Sequence, residues 1–155
     1  MRTGIGTWEG HSLGVFVTEV RPRWSDMDLY GHVNHANTVT LLEEARVDLL
    51  FREAALRGAD DLARGVVVAR LTVDYRAPLF ANGSGLRVAM SVREIRAAYF
   101  VLDYQVHTGP TEADPIGVTA STTLAPYDLV GAKPRRITDT ERDFLAAFHS
   151  GGNGA

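Results

Sequence analysis

One stretch of this chain carries a sustained helical period, and the segments on either side of it alternate as strands do. From Asn37 to Arg57, Val39, Leu42, Ala45, Leu49 and Leu50 recur at three- and four-residue spacing, which puts them on one face of a helix. Glu43, Glu44, Arg46, Asp48, Arg52 and Glu53 supply much of the polar remainder, and Gly58 is placed to end the helix. Leu41 and Val47 fall off the stripe, and an apolar belt that wide implies a helix packed on more than one side.

The flanking segments fix what that helix packs against. Gly14–Arg21 reads as a first strand. After the helix, Val67, Ala69, Leu71, Val73 and Tyr75 alternate with Val68, Arg70, Thr72 and Asp74, a half-buried strand of period two that Ala77-Pro78 stops. Past the turn cluster Asn82-Gly-Ser-Gly85, Leu86, Val88, Met90 and Val92 alternate with Arg87, Ala89, Ser91 and Arg93. Phe100, Leu102, Tyr104 and Val106 form the next such series. Thr108–Pro115 is a polar turn, and Ile116, Val118, Ala120, Thr122 and Leu124 make the last long strand. The order is strand, long helix, then four strands joined by short turns. The expected class is therefore α+β, with the helix on one face of a curved antiparallel sheet of about five strands. Thr138 and Glu141 form a capping-box pair opening a short helix through Phe148. Residues 1–149 are read as a single domain, and the glycine-rich Ser150–Ala155 as a disordered tail.

Composition narrows the function classes. The 155 residues are 45% apolar and 23% charged, the balance of a globular chain long enough to bury a real core. The net charge of −3 gives no overall basic field for nucleic acid or anionic lipid. There is no cysteine, which removes disulfides, thiolate metal sites and a Cys nucleophile together. The first ten residues lack the apolar core of a secretory signal, and no run approaches the ~18 apolar residues of a membrane span. The expectation is a cytoplasmic protein with neither nucleic-acid nor membrane partner.

Chemistry concentrates between the first strand and the helix. The run Arg23-Trp-Ser-Asp-Met-Asp-Leu-Tyr-Gly-His-Val-Asn-His-Ala-Asn37 places two carboxylates, two histidines and two amides at the point where helix-start N–H groups lack intrahelical partners. A carboxylate on one side and preorganised N–H donors on the other is the layout that acyl transfer to water requires. His32 and His35 with Asp26 and Asp28 are also conceivable as metal ligands. Ser84 is no nucleophile elbow, because the G-x-S-x-G pattern is absent.

That run, followed by Leu-Leu-Glu-Glu-Ala-Arg46, resembles the 4-hydroxybenzoyl-CoA thioesterase branch of the hotdog-fold acyl-CoA thioesterases, over roughly Val17 to Tyr127. The resemblance implies hydrolysis of an acyl-CoA to a carboxylic acid and free coenzyme A, without a metal or cofactor beyond the coenzyme A of the substrate. It implies that Asp28 is the catalytic carboxylate, as nucleophile or general base, and that the backbone N–H at or beside His35 polarises the thioester carbonyl. Asn37 matches an asparagine common at that helix start. The family pattern often has Asn or Tyr where this chain has His35, which bears on the acyl pocket rather than on a backbone donor. Asn34 reads as a helix cap or a substrate contact, Asp26 as a loop brace, and Glu44 as a pocket acid or a salt-bridge partner. Arg70, Arg76, Arg87, Arg93 and Arg96 are candidates for the coenzyme A phosphates. The implied assembly is a homodimer or homotetramer, acting on coenzyme A or acyl-carrier-protein thioesters. Two alternatives stay open: a hotdog hydratase or dehydratase, and a non-catalytic acyl-CoA-binding protein.

Overall fold

Every element serves to wrap one helix. The structure, a computed structural model, describes residues 14–150. Strand β1 (Phe16–Val20) leads through a short 3-10 turn (Trp24–Asp26) to helix α1 (His35–Val47). The helix starts two residues before the apolar period does, because the cap at Asn34, not the first apolar residue, sets its beginning. It runs on through a π-helical turn (Asp48–Glu53) into a last turn, α2 (Ala54–Leu56), and Gly58 follows with φ +81. Leu49, Leu50, Glu53 and Ala54 lie on the buried side of this turn. Asp48 in this turn is held by the Thr18 hydroxyl of β1 and by Arg52 Nη1 at 3.0 Å.

Four further long strands follow: β2 (Val66–Tyr75), β3 (Leu86–Ile95), β4 (Phe100–His107) and β5 (Ile116–Asp128). The short β6 (Lys133–Pro134) pairs with the end of β5, and helix α3 (Asp139–Ala146) closes the described chain. The main sheet is antiparallel in the order β1-β3-β4-β5-β2. Within the main sheet, the β3–β4 and β4–β5 connections are the hairpins among the described residues. The helical segment carries the chain from β1 to β2 at the opposite edge of the sheet, and residues 76–85 carry it back to β3. This is the hotdog arrangement, a long helix held inside a curled sheet. Register breaks at Val68/Arg70 and Val92/Glu94 add the local twist that lets the strands curl.

The core lies between α1 and the inner face of β3, β4 and β5. In that face Met90 pairs with Tyr104 and Tyr104 with Ala120, while Leu102 lies between Val92 and Thr122. Leu41, Leu42, Ala45, Leu49 and Leu50 of the helix are buried against them, each buried Leu contributing roughly 1.5–3 kcal/mol. The half-buried pattern expected of β2 is not realised. A register break between Val68 and Arg70 puts Val68, rather than Val67 and Ala69, on the inner face with Leu71, Val73 and Tyr75, and the helix leaves Val68 47%, Leu71 38% and Tyr75 51% exposed. A trough therefore runs between the helix and β2, floored by apolar side chains.

At the other end, Gly65 has φ +151, and a Cβ there would collide with the carbonyl oxygen of Tyr127, whose N–H in turn donates to Gly65 O. The expected capping box at α3 is present. Thr138 Oγ1 accepts from Glu141 N at 3.1 Å and Thr138 N donates to Glu141 Oε1 at 2.8 Å. The helix ends at Ala146 rather than at Phe148. Ser150 is not loose: its N–H donates to Val92 O at 2.8 Å, after Phe148 O has accepted from Val92 N. The rest of the expected tail, residues 151–155, lies outside the described residues.

Among the described residues, Glu141 is the one carboxylate with no exposure at all. Arg135 grips it with Nη1 at 2.9 Å and Nη2 at 2.7 Å, and also reaches Asp61 O, tying α3 to the turn at Asp60–Arg64. Burial raises the Glu141 carboxyl, but the Arg135 guanidinium and the Thr138 N–H outweigh it and hold the group below its ordinary value. A depressed carboxyl contributes stability that is present above the unfolded value, about 4.3, and fades as pH falls through the folded one. Urea melts should therefore show Glu141→Gln destabilised by about 3 kcal/mol at neutral pH. The gap to wild type should narrow below about pH 4; a gap independent of pH would show that the charge is not responsible.

Candidate active site

The loop between β1 and α1 is built around Asp26. Its buried carboxylate accepts from Arg23 N at 2.7 Å and from the Arg23 side chain at 3.2 and 3.3 Å, and its own carbonyl accepts from Asn34 N at 2.8 Å and Asn37 Nδ2 at 3.1 Å. The Arg23 hydrogen bond outweighs burial and keeps the Asp26 carboxyl below its usual range. Asp26 is thus a brace, and one end of the helix hangs from its backbone. Met27 then bridges Val33, so residues 26–28 run antiparallel beside residues 32–34.

This pairing turns Asp28 back along the approach to the helix. Its N–H donates to His32 O at 2.7 Å, and its carbonyl accepts from Gly31 N, with Gly31 taking φ +79 to complete the turn. Asp28 Oδ1 accepts from Tyr30 N at 2.8 Å and His32 N at 3.2 Å. Its second oxygen, Oδ2, has no donor among the described residues, and the side chain is half-buried. The carboxylate is oriented through one oxygen and open at the other.

The helix start faces the same region. Asn34 Oδ1 accepts from Ala36 N at 2.8 Å, and Asn34 O accepts from Thr38 N, so Asn34 is committed as the cap. The N–H groups of His35 and Asn37 have no acceptor among the described residues. The Asn37 side chain is spent on Asp26 O, and the His35 ring is exposed. Tyr75, the last residue of β2, donates its hydroxyl to His35 O at 2.7 Å, its ring set edge-on to the His35 ring. Sequence reading missed Tyr75, although it ends the inner-face alternation just ahead of Ala77-Pro78. It also missed Phe80, which packs edge-on to His32 with ring centres 5.1 Å apart.

The other candidates are scattered. Glu44 is exposed and makes no ion pair among the described residues; the helical pair is Glu43 with Arg46, at 4.0 Å. Arg93 is taken by Asp103 and Ser121, Arg96 by Glu94, and Arg87 by His107. The side chains of Arg70 and Arg76 have no hydrogen-bond or ion-pair partner among the described residues. Arg70 and Arg93 line a cavity of about 830 Å³ with Thr72, Asp74, Asp103 and Thr123, on the sheet face away from the helix and so apart from the Asp28 loop. Arg76 follows Tyr75 directly and is the one of the five joined to the helix start. No group of three or more His, Asp or Glu able to hold a metal occurs among the described residues. No helix among them is long and apolar enough to cross a membrane.

Comparison with known proteins agrees with this architecture. The chain superposes on a predicted thioesterase from Bacillus stearothermophilus with a TM-score of 0.71, at 21% identity over 87% of this chain and 96% of that one. A thioesterase from Thermus thermophilus, solved with coenzyme A and zinc, gives 0.67 at 22% identity, covering 89% and 96%. The DHNA-CoA thioesterase of Staphylococcus aureus gives 0.66 at 22% identity, covering 86% and 88%. No curated protein matches the sequence. The model of the thioesterase-like superfamily matches residues 22–148, from the loop that carries Asp28 through α3. With most of its length matched and the curled sheet and long helix in place, the chain belongs to the thioesterase-like superfamily.

Proposed function

We propose that the chain hydrolyses acyl-CoA thioesters with Asp28 as the reacting carboxylate and the start of α1 as the oxyanion site. The observation that carries this reading is the open Oδ2 of Asp28 on a loop folded beside a helix whose His35 and Asn37 N–H groups have no acceptor among the described residues. A thioester carbonyl seated at the helix start receives those N–H groups as its oxygen gains charge. Asp28 then either attacks the carbonyl carbon, releasing the thiol and leaving a mixed anhydride for water to open, or draws a proton from the attacking water. Coenzyme A, the ligand of the Thermus thermophilus protein, carries phosphates that fall outside such a site. Arg76, its guanidinium unpaired among the described residues and next to Tyr75, is the best placed of the arginines to meet them.

A second copy of the chain completes this reading. Strand β2 is a ten-residue edge, and its Arg70 and Asp74 stand two residues either side of Thr72 on the outer face. Antiparallel pairing of β2 with its twin about Thr72 sets Arg70 of each copy opposite Asp74 of the other and Leu71 opposite Val73, and it extends the sheet over both troughs. Trp24, Leu29 and Tyr30, all strongly exposed on the Asp28 loop, supply further apolar surface for partner or substrate.

Two outcomes are expected. Free-thiol release from a panel of short, medium, long and aromatic acyl-CoAs should fall by a hundredfold or more in Asp28→Asn, with the melting temperature little changed. Retained turnover would move the chemistry elsewhere; no wild-type turnover on any member would favour a binding protein. In sedimentation equilibrium, Asp74→Arg should weaken the dimer by several-fold or more, and the swap Arg70→Asp with Asp74→Arg should restore it. Equal behaviour of single and double variants would refute the register.

A further inference from the structure

Arg46 stands in the last turn of α1 and points between the helix and the sheet. Its side chain is 14% exposed, and Nη1 donates to the Tyr104 hydroxyl at 3.2 Å. That hydroxyl shares a 2.8 Å hydrogen bond with Thr122 Oγ1, and both Tyr104 and Thr122 are fully buried. The carboxylate within reach is Glu43, 4.0 Å away on a largely exposed side chain. A guanidinium has five N–H donors and needs a counter-charge when taken out of water. Here it has one neutral acceptor and a distant, solvated anion.

Its position is equally specific. Thr122 pairs in register with Leu71 of β2, so the buried end of the polar trio lies one strand in from the exposed inner face of β2, and Arg46 is its partly exposed member. The helix start, with the Asp28 loop, lies at one end of α1, and Arg46 lies about three turns or 16 Å further along. Helical side chains lean toward the N-terminus, which shortens the gap that a ligand must span. Leu71, Val73 and Tyr75 line the way between them on the strand side.

We propose that Arg46, seated by Tyr104 and Thr122, reads the far end of the acyl group, and that the favoured substrates are acyl-CoAs whose chain ends in a second carboxylate. This rests on the thioesterase reading above, with the thioester at the helix start and the chain lying along the trough. A terminal carboxylate accepts two parallel N–H bonds from the guanidinium and supplies the missing counter-charge. A methyl-ended chain of equal length leaves both unmet.

The test is the ratio of kcat/KM for ω-carboxyoctanoyl-CoA to that for octanoyl-CoA, in wild type, Arg46→Met, Arg46→Lys and Tyr104→Phe. Wild type should favour the ω-carboxy substrate by about tenfold to a hundredfold, as a charged hydrogen-bonding pair implies. Arg46→Met should bring the ratio to about one or below, and Arg46→Lys should recover part of it. Tyr104→Phe, which keeps the ring and frees the guanidinium, should lower it, and serves if Arg46→Met does not fold. A wild-type ratio near one, or a ratio unchanged in folded Arg46→Met, overturns the proposal while leaving hydrolysis standing. Absence of turnover on both substrates would instead count against the thioesterase reading. In that case calorimetry with the two non-hydrolysable thioether analogues reads the same preference, and equal affinities overturn it.

Discussion

The tie between Asp26 and the start of α1 governs what this fold can do. The Asp26 carboxylate is gripped by Arg23, and its carbonyl takes both the Asn34 N–H and the Asn37 amide. Helix α1 is thereby fixed at one end to a loop and along its length to the sheet. A helix positioned only by apolar burial can slide or rotate by fractions of a turn, since the hydrophobic effect is non-directional. Here directional bonds set where the helix begins, and hence where its unpaired N–H groups stand relative to Asp28. Preorganised donors of this kind do not have to be rearranged when charge develops.

How legible all this was depends on the kind of information each feature carries. The long helix, the alternating strands and the α3 capping box are local patterns, and they were readable because Leu42, Ala45 and Leu49, or Thr138 and Glu141, lie within a few residues of one another. The strand order was not readable. Nothing in Val66–Tyr75 records that its neighbour is β5 rather than β3; that follows from where the helical segment delivers the chain. Nor does alternation reveal cover: β2 has the composition of a half-buried strand, and the helix leaves its inner face exposed. The π turn escaped because it is a departure from the very period that identified the helix.

The site divides in the same way. Asp28, Asn34, His35 and Asn37 are close in sequence, and their motif pointed to one loop and one helix start. Their separate duties, with Asn34 as cap and Asn37 as brace, required the hydrogen bonds. Tyr75, Arg46, Tyr104 and Thr122 lie on four different elements, and only the folded chain brings Tyr75 to His35, or Arg46 to Tyr104 and Thr122. The five arginines mark the limit of charge-pattern reading. Alternation placed Arg70, Arg87 and Arg93 on strands, but an arginine's availability is settled by whether a carboxylate such as Asp103 or Glu94 happens to stand beside it.

The C-terminal segment has a bearing on which edge of the sheet is left open. Strand β1 covers the edge of β3 from Leu86 to Met90, and beyond it Val92 N–H and C=O are taken by Phe148 and Ser150. Among the described residues, the β1 side of the sheet thus presents little more than one five-residue strand, while β2 presents ten residues. An object with two equally good edges propagates, each copy offering its far side to the next, and ends as a fibre. One with a single long edge consumes it in the first union. The few residues that follow α3, far from any chemistry, take the β3 positions that β1 leaves open, and so leave β2 as the longer free edge among the described residues.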